Sequence, residues 1–270
     1  MDLVIDSDLF IRQGVNGVDL VITTTKAGNQ SLRFSGNPMK NRQDLASRLG
    51  LTLDNFVYMG AEMKDHVVFV TSSDRGRGSA SQAESIACDA MFTNEPGVFP
   101  VLLPGDCATV FVVHELVWGI IHAGRDNAAI IIPKAIGLIC TAFNIDPRSI
   151  FAVVGPTIGN SLDEERLTRD ADLRYFFSRE KEKYIHKQRV EKTWIRSGAI
   201  VDTVIDVEGI GVEGWEVLLA KYVEFALRES GVIRILNPNL DTMSGKFFSH
   251  SLSVKTGTEE GRHACLIGRF

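Results

Sequence analysis

One stretch, from Gly97 to Gly159, constrains the fold more than any other part of the chain. It holds three short apolar runs rich in β-branched and aromatic residues: Val98–Leu103, Thr109–Val113 and Val117–Ile121. A helix-length apolar run, Asn127 to Phe143, and another short run, Ile150–Val154, follow. The short runs read as strands and the long one as a helix. Polar residues fall where the runs end. Asp106 and Cys107 lie in the first connection, His122 closes the third strand, and Gly155-Pro-Thr-Ile-Gly159 closes the last. Sequential strands tend to neighbour one another in a sheet, which predicts that Cys107 and His122 share one rim although fifteen positions separate them. His114 also ends a strand, but Glu115-Leu116 reads as the adjoining hairpin turn, which places His114 on the opposite rim.

The chain has 270 residues, 44% of them hydrophobic, enough for one large folded domain over residues 1–270. A formal charge of −5 gives no electrostatic footprint for nucleic acid. No apolar run approaches eighteen residues, and MDLVIDSDLF opens with acids instead of a basic flank, so the expectation is a cytoplasmic protein without a membrane partner. Cys88, Cys107, Cys140 and Cys265 show no CxxC spacing and read as thiols. Oligomeric state is left open.

Strand signals recur around Leu3–Ile5, Phe10–Gln13, Val18–Thr25, Val67–Thr71 and Asp89–Thr93, with a helix from Pro38 to Leu49. The Gly/Ser-rich SSDRGRGSASQAES reads as a loop, either mobile, covering a pocket, or a disordered surface insertion. After Gly159 the charged run to Gly198 reads as peripheral helices, with Leu173 and Phe177 on one apolar face. Ala199–Asp206 resumes the core, Gly214 to Ser230 has helical periodicity ending before Gly231, and Val232–Leu236 and His263–Ile267 read as strands. The expected architecture is α/β, an α+β mixed-sheet single domain with layered sheets and flanking helices.

Cys107 follows Gly105-Asp106 at a strand edge and is open to three readings: a satisfied core thiol, a metal ligand or a nucleophile. His122 precedes Ala123-Gly124, where small residues leave room for a bound group; a structural histidine is the alternative. A catalytic zinc needs a third protein ligand, for which His66, just before the Val67 strand, is the available candidate, ahead of His250 and His263. Without one, a Cys–His pair can still perform thiol chemistry.

The segments GDCATV, IIHAGRDNA and GPTIG, in that order and spacing, resemble the DC, HAGWRG and GPxIG motifs of the multicopper polyphenol oxidoreductase, or laccase-domain, family. TTTKAG followed by NPMKNRQDLASRLGL, then CDAMFTNEPG, SGKFFSH and GRHACLI, extend the resemblance over most of the chain. It implies one α/β domain with a fold similar to that of cysteine-hydrolase toxins. It also implies zinc-dependent purine nucleoside phosphorolysis and adenosine deamination, with zinc held by a QVHG histidine, the DC cysteine and the HAG histidine. Cys107 and His122 match the last two. The first ligand position carries Met63, with His66 three residues on. Asp89 matches the aspartate of the ADALVT motif and takes the role of polarising the base or shuttling protons. Arg125 stands at the tryptophan of HAGWRG and Asp126 at its arginine. FFSYRR becomes FFSHSL, with His250 at the tyrosine and Leu252 at an arginine, while Arg262 stays at the TGR arginine. Arg125, Arg262 and His250 are therefore the substrate-binding candidates. An acidic side chain cannot replace guanidinium as a phosphate clamp, so phosphorolysis loses support relative to attack by water. The sequence reading is a zinc-dependent purine-nucleoside-processing enzyme using Cys107, His122 and Asp89, with His66 completing the metal shell. Its alternatives are a non-catalytic interaction or regulatory protein and a metal-free Cys–His amidohydrolase.

Overall fold

The computed structural model describes residues 4–158, 176–178, 193–207 and 210–270. The chain opens with an antiparallel meander, β1 (Val4–Ser7), β2 (Phe10–Val15) and β3 (Val18–Thr23). Helix α1 (Pro38–Arg48) begins with proline in its first turn, where the missing N–H costs nothing. It is followed by β4 (Phe56–Gly60), β5 (Val67–Phe69), the short β6 (Ile86–Ala87) and β7 (Ala90–Thr93). The central stretch supplies β8 (Phe99–Leu102), β9 (Ala108–Val113), β10 (Trp118–Ala123), α2 (Ala128–Phe143) and β11 (Phe151–Val154). Beyond it come β12 (Phe176–Ser178), β13 (Ile200–Val207), β14 (Ile210–Val217), α3 (Leu219–Glu229), β15 (Arg234–Leu236), α4 (His250–Thr256) and β16 (Cys265–Gly268).

Two mixed sheets form from these strands. The larger runs β1-β2-β3-β16-β8-β4-β6 and the other β15-β11-β9-β10-β7-β5, while β12-β14-β13 make a separate antiparallel ribbon. The alternation along β9 shows how the layers stack, because successive side chains leave opposite faces of a strand. Phe111 and Val113 join Trp118, Ile120, Leu20, Ile22 and Ile267 in a core between the two sheets. Val110 and Val112 face the other way, into a core with Ile131, Ile132 and Ile136 of α2 and Tyr222 and Val223 of α3. The outer face of the larger sheet packs Phe56, Tyr58 and Leu266 on Leu45 and Leu49 near α1. The order is helix, sheet, sheet, helices. Strands β9 and β10 are buried along their whole length, which is why both read as unbroken apolar runs.

Several expectations change here. The periodic segment from Gly214 is divided: residues 214–217 end β14, and the helix starts only at Leu219. Phe177 lies in β12, paired with Trp215, and not on a helix; residues 193–197 at the end of that charged run are helical, as expected, and its remaining residues, Leu173 among them, lie outside the described ones. The Gly/Ser-rich loop is tied down. Tyr58 N–H donates to Arg77 O at 2.9 Å, and the fully buried Arg42 guanidinium donates to Gly78 O and Ser79 O, each at 2.8 Å. Among the described residues, no helix is long and apolar enough to cross a membrane.

Candidate active site

Register explains how three distant residues meet. In the antiparallel pair β9 and β10, His122 stands opposite Thr109, so Cys107, two residues before Thr109, leaves the same face. On the other side β10 pairs with β7 as far as Ile121 opposite Ala90, and His122 N–H donates to Asp89 O at 2.8 Å. Asp89, His122 and Cys107 therefore lie side by side at one rim of three adjacent strands. His114, at the far end of β9, sits on the opposite rim.

The side chains form a relay. His122 Nδ1 is 3.0 Å from Asp89 Oδ1, and the imidazole hydrogen-bonds Cys107. Burial alone would push His122 down, but the charge of Cys107 and the hydrogen bonds to Asp89 and Cys107 outweigh it and raise the imidazole to about 9. Asp89 is fully buried. Its carboxylate also accepts the N–H groups of Glu62 (3.2 Å), Met63 (2.9 Å) and Lys64 (2.7 Å). Burial opposes its ionisation, yet the bonds from His122 and this loop hold it below the usual carboxylate range. Four donors thus converge on the Asp89 carboxylate and tie the His122 ring to the 62–64 loop.

A second buried carboxylate sets Cys107. Asp106 accepts from Thr242 Oγ1 (3.0 Å), Ser249 Oγ (2.5 Å), Ser251 Oγ (2.5 Å) and Ser251 N–H (2.8 Å). Its carbonyl takes Ile158 N–H and Thr157 Oγ1, each at 3.0 Å, so the GPTIG segment and the start of α4 both grip the residue before Cys107. Asn127 closes the other side: its Oδ1 accepts Gly124 N–H at 2.7 Å and its Nδ2 donates to His122 O at 3.3 Å.

His66 does not join this group. Its carbonyl accepts both Asp89 N–H (2.9 Å) and Ala90 N–H (3.0 Å), which ties this position, just ahead of β5, to the start of β7, and the imidazole is turned outward to Glu62 at 3.3 Å. The side chain is 55% exposed. Arg125 forms a two-pronged ion pair with its neighbour Asp126, both bonds 3.0 Å. Arg262 and His250 meet at Glu260, at 2.9 and 2.5 Å. Burial opposes the Glu260 charge, but the bonds from Arg262 and His250 outweigh it and keep the carboxyl low. The Arg262 guanidinium also covers Gly105, where a Cβ would come within 3.3 Å of it, so this cluster flanks the Cys107 loop. Reading the sequence did not find Glu260, the Asp106 anchor or Asn127. Asp106 had a visible signal, its place in the DC pair; the serines that bind it are ordinary residues at remote positions.

A fold of two mixed sheets that brings cysteine, histidine and aspartate to one rim is a scaffold for thiol or metal chemistry. The family model described as multi-copper polyphenol oxidoreductase laccase matches residues 35–269, and the chain belongs to that family. It is 32% identical to the purine nucleoside phosphorylase YlmD of Geobacillus stearothermophilus over 125 residues, 45% of this chain and 46% of that protein. The Bacillus subtilis protein of the same name is 31% identical over 128 residues, 46% of each chain. The aligned part thus spans just under half the length of these curated relatives. The fold superposes on the crystal structure of Bacillus licheniformis hypothetical protein YfiH with a TM-score of 0.80, over 99% of both chains at 21% identity. It superposes on YlmD from Geobacillus stearothermophilus with a TM-score of 0.78 at 23% identity, over 99% of this chain and 98% of that one.

The zinc that the family resemblance implies does not suit this donor set. Among the described residues no three His, Cys, Asp or Glu side chains converge on a metal position. The third place beside Cys107 and His122 belongs to Met63, whose neutral thioether is a poor partner for zinc.

Proposed function

We propose that the protein processes purine nucleosides by cysteine chemistry, and that its reaction is hydrolytic deamination. The Asp89–His122–Cys107 relay carries this reading: a sulfur beside a histidine that holds its proton at neutral pH, oriented from behind by a buried carboxylate, is an activated nucleophile with its acid in place. The names of the relatives supply the substrate class. In this reaction the Cys107 thiolate adds to C6 of the adenine ring, and the His122 proton passes to the departing amino group, which leaves as ammonia. Water then adds at C6, returns a proton to His122 and expels Cys107, so that adenosine and water give inosine and ammonia.

Phosphate is disfavoured as acceptor because the cationic groups beside the rim are already engaged, Arg125 by Asp126 and Arg262 by Glu260. The competing reading, a fold-retaining interaction protein, draws on the same Arg125–Asp126 pair and on Met63 packed beside Cys107. Incubation with adenosine and with inosine, with and without phosphate, followed by chromatography of the products, separates the possibilities. Inosine should appear from adenosine at a rate indifferent to phosphate and vanish in Cys107→Ser. Ribose phosphate formed only with phosphate present would overturn the hydrolytic assignment. No turnover by folded protein would favour the interaction protein.

A further inference from the structure

A proline stands inside α2, at position 133, past the first turn where a helix tolerates one. It has no N–H to give to the carbonyl four residues back, so Ala129 O loses its regular helical donor. Both residues line a cleft of about 240 Å³ between α2, α3 and the turn of helix at 193–197. Ile130, 47% exposed, and Pro133 make the α2 wall, and Phe225 lies on the α3 wall. Arg196 and Glu229, both exposed, pair at the mouth, and the Arg196 guanidinium lies 5.2 Å from the centre of the Phe225 ring. Among the described residues these are the only charges lining the cleft, and they cancel.

We propose that this cleft is a second binding site, which takes a small, neutral, flat heteroaromatic molecule bearing a ring N–H. Its size suits two fused rings, since an apolar cavity of ~150 Å³ already admits benzene. Aliphatic and aromatic walls on neighbouring helices favour a flat ring between them, and the Arg196 cation favours an electron-rich one. Neutrality follows from the Arg196–Glu229 pair, which leaves neither charge over for an ionic ligand. The Ala129 carbonyl supplies the polar contact that fixes orientation, and it can only accept, so the ligand must bring the donor. The cleft also borders the support of the candidate active site. Ala129 is two residues beyond Asn127, whose side chain accepts Gly124 N–H and donates to His122 O. A ligand held at Ala129 and Pro133 therefore bears on the helix start that braces the His122 turn, whatever reaction takes place at that rim.

The test is a titration of the nitrogen-15-labelled full chain with indole, followed in proton–nitrogen correlation spectra. Benzofuran, a ring system of the same size with oxygen in place of the N–H, is the control. Indole should give saturable shifts of the amides around Ala129 and Phe225. Benzofuran should shift the same amides but bind about three- to tenfold more weakly, the loss of one hydrogen bond. Pro133→Ala gives position 133 an N–H that closes the helical bond to Ala129 O. That variant should melt at a higher temperature than wild type and bind the two probes with equal affinity. Phe225→Ala should weaken both probes together. Absence of saturable shifts with indole up to its solubility limit would overturn the proposal. So would equal affinity for the two probes in wild type, or a preference for indole that survives in Pro133→Ala. Every readout is binding or melting, so failure here and failure of the deaminase reading are separately visible.

Discussion

Asp89 and His263 show two opposite ways of burying an ionisable side chain in one protein. Asp89 keeps its charge because four donors converge on it. His263 is also fully buried, but it gives a single bond, to Phe248 O at 3.2 Å, and packs its ring against Phe247. Burial therefore dominates and pushes its pKa down to about 4 from the ordinary 6.5, against the milder upward pull of Phe248 O and Asp106. Between these two values the unfolded chain binds a proton that the folded chain refuses, so stability rises with pH across this window. The contribution is fully present above about 6.5 and is lost as the pH falls towards 4, on the order of 3 kcal/mol in all. In urea unfolding followed at pH 7 and at pH 4, His263→Gln should lose less stability on acidification than wild type by roughly this amount. Parallel pH profiles would show that His263 is not the group responsible. That Cys107 and His122 share a rim was legible at this scale because each lies where an apolar run ends. The residues that position them were not: Asp106 meets Ser249 and Ser251 across more than 140 positions, and no local pattern in either segment encodes that meeting.

At the scale of elements, β10 carries the most constraint, since it pairs with β9 on one side and β7 on the other while both of its faces are covered. Gly119 lies within this strand opposite Phe92. A Cβ there would stand 2.3 Å from Met91 O and 2.3 Å from a Phe92 ring carbon, and the carbonyl belongs to a paired strand that cannot withdraw. Gly119→Ala should therefore destabilise by at least the ~1–3 kcal/mol typical of an overfilled core, measured by chemical denaturation. A change below about 0.5 kcal/mol, the range of an inconsequential surface substitution, would mean that β7 and β10 can spread apart. The same strand shows what apolar runs convey and what they omit. Its extent was readable, because residues buried on both faces must be apolar throughout. The boundary between β14 and α3 was not, since Val217 and Leu218 fit both a strand end and a helical stripe, and a short apolar pair does not distinguish the two periods. The Gly/Ser-rich loop misled for another reason. Its composition indicated freedom, whereas the Arg42 cation, fully buried without a carboxylate, relies on the carbonyls of Gly78, Ser79 and Gln30 and so holds the loop in place.

For the molecule as a whole, the deciding fact is the place of β16. Sequential strands usually lie together, but this last strand sits in the middle of the larger sheet, antiparallel to both β3 and β8. It joins the N-terminal meander to the strands that follow α1, and without it the sheet becomes two pieces with unpaired edges. Its side chains serve both faces: Cys265 and Ile267 enter the core between the sheets, and Leu266 enters the core near α1. All three are essentially inaccessible to water. Burial of a large apolar side chain stabilises by about 1.5–3 kcal/mol, so these three together are comparable with the ~5–15 kcal/mol that a domain has in total. A chain ending at Ala264 should accordingly fail to fold, lacking native near-ultraviolet circular dichroism and showing no cooperative transition in urea. A chain ending at Gly268 retains β16 but gives up the Arg269 bonds to Glu115 O and Asn16 O, the Gly97 N–H bond to Arg269 O, the stacking of Arg269 on Trp118, and the contacts of Phe270 with Phe99 at 5.1 Å and with the Arg12 guanidinium. That shorter cut should leave a cooperative transition at a reduced midpoint. Cooperative unfolding of the chain ending at Ala264 would show that the larger sheet does not depend on its central strand. Because Arg262 and His263 lead directly into β16, the shorter cut should also leave the Cys107 loop covered, and the rate at which a thiol reagent labels Cys107 should stay within about twofold of the full chain, a change worth less than about 0.5 kcal/mol.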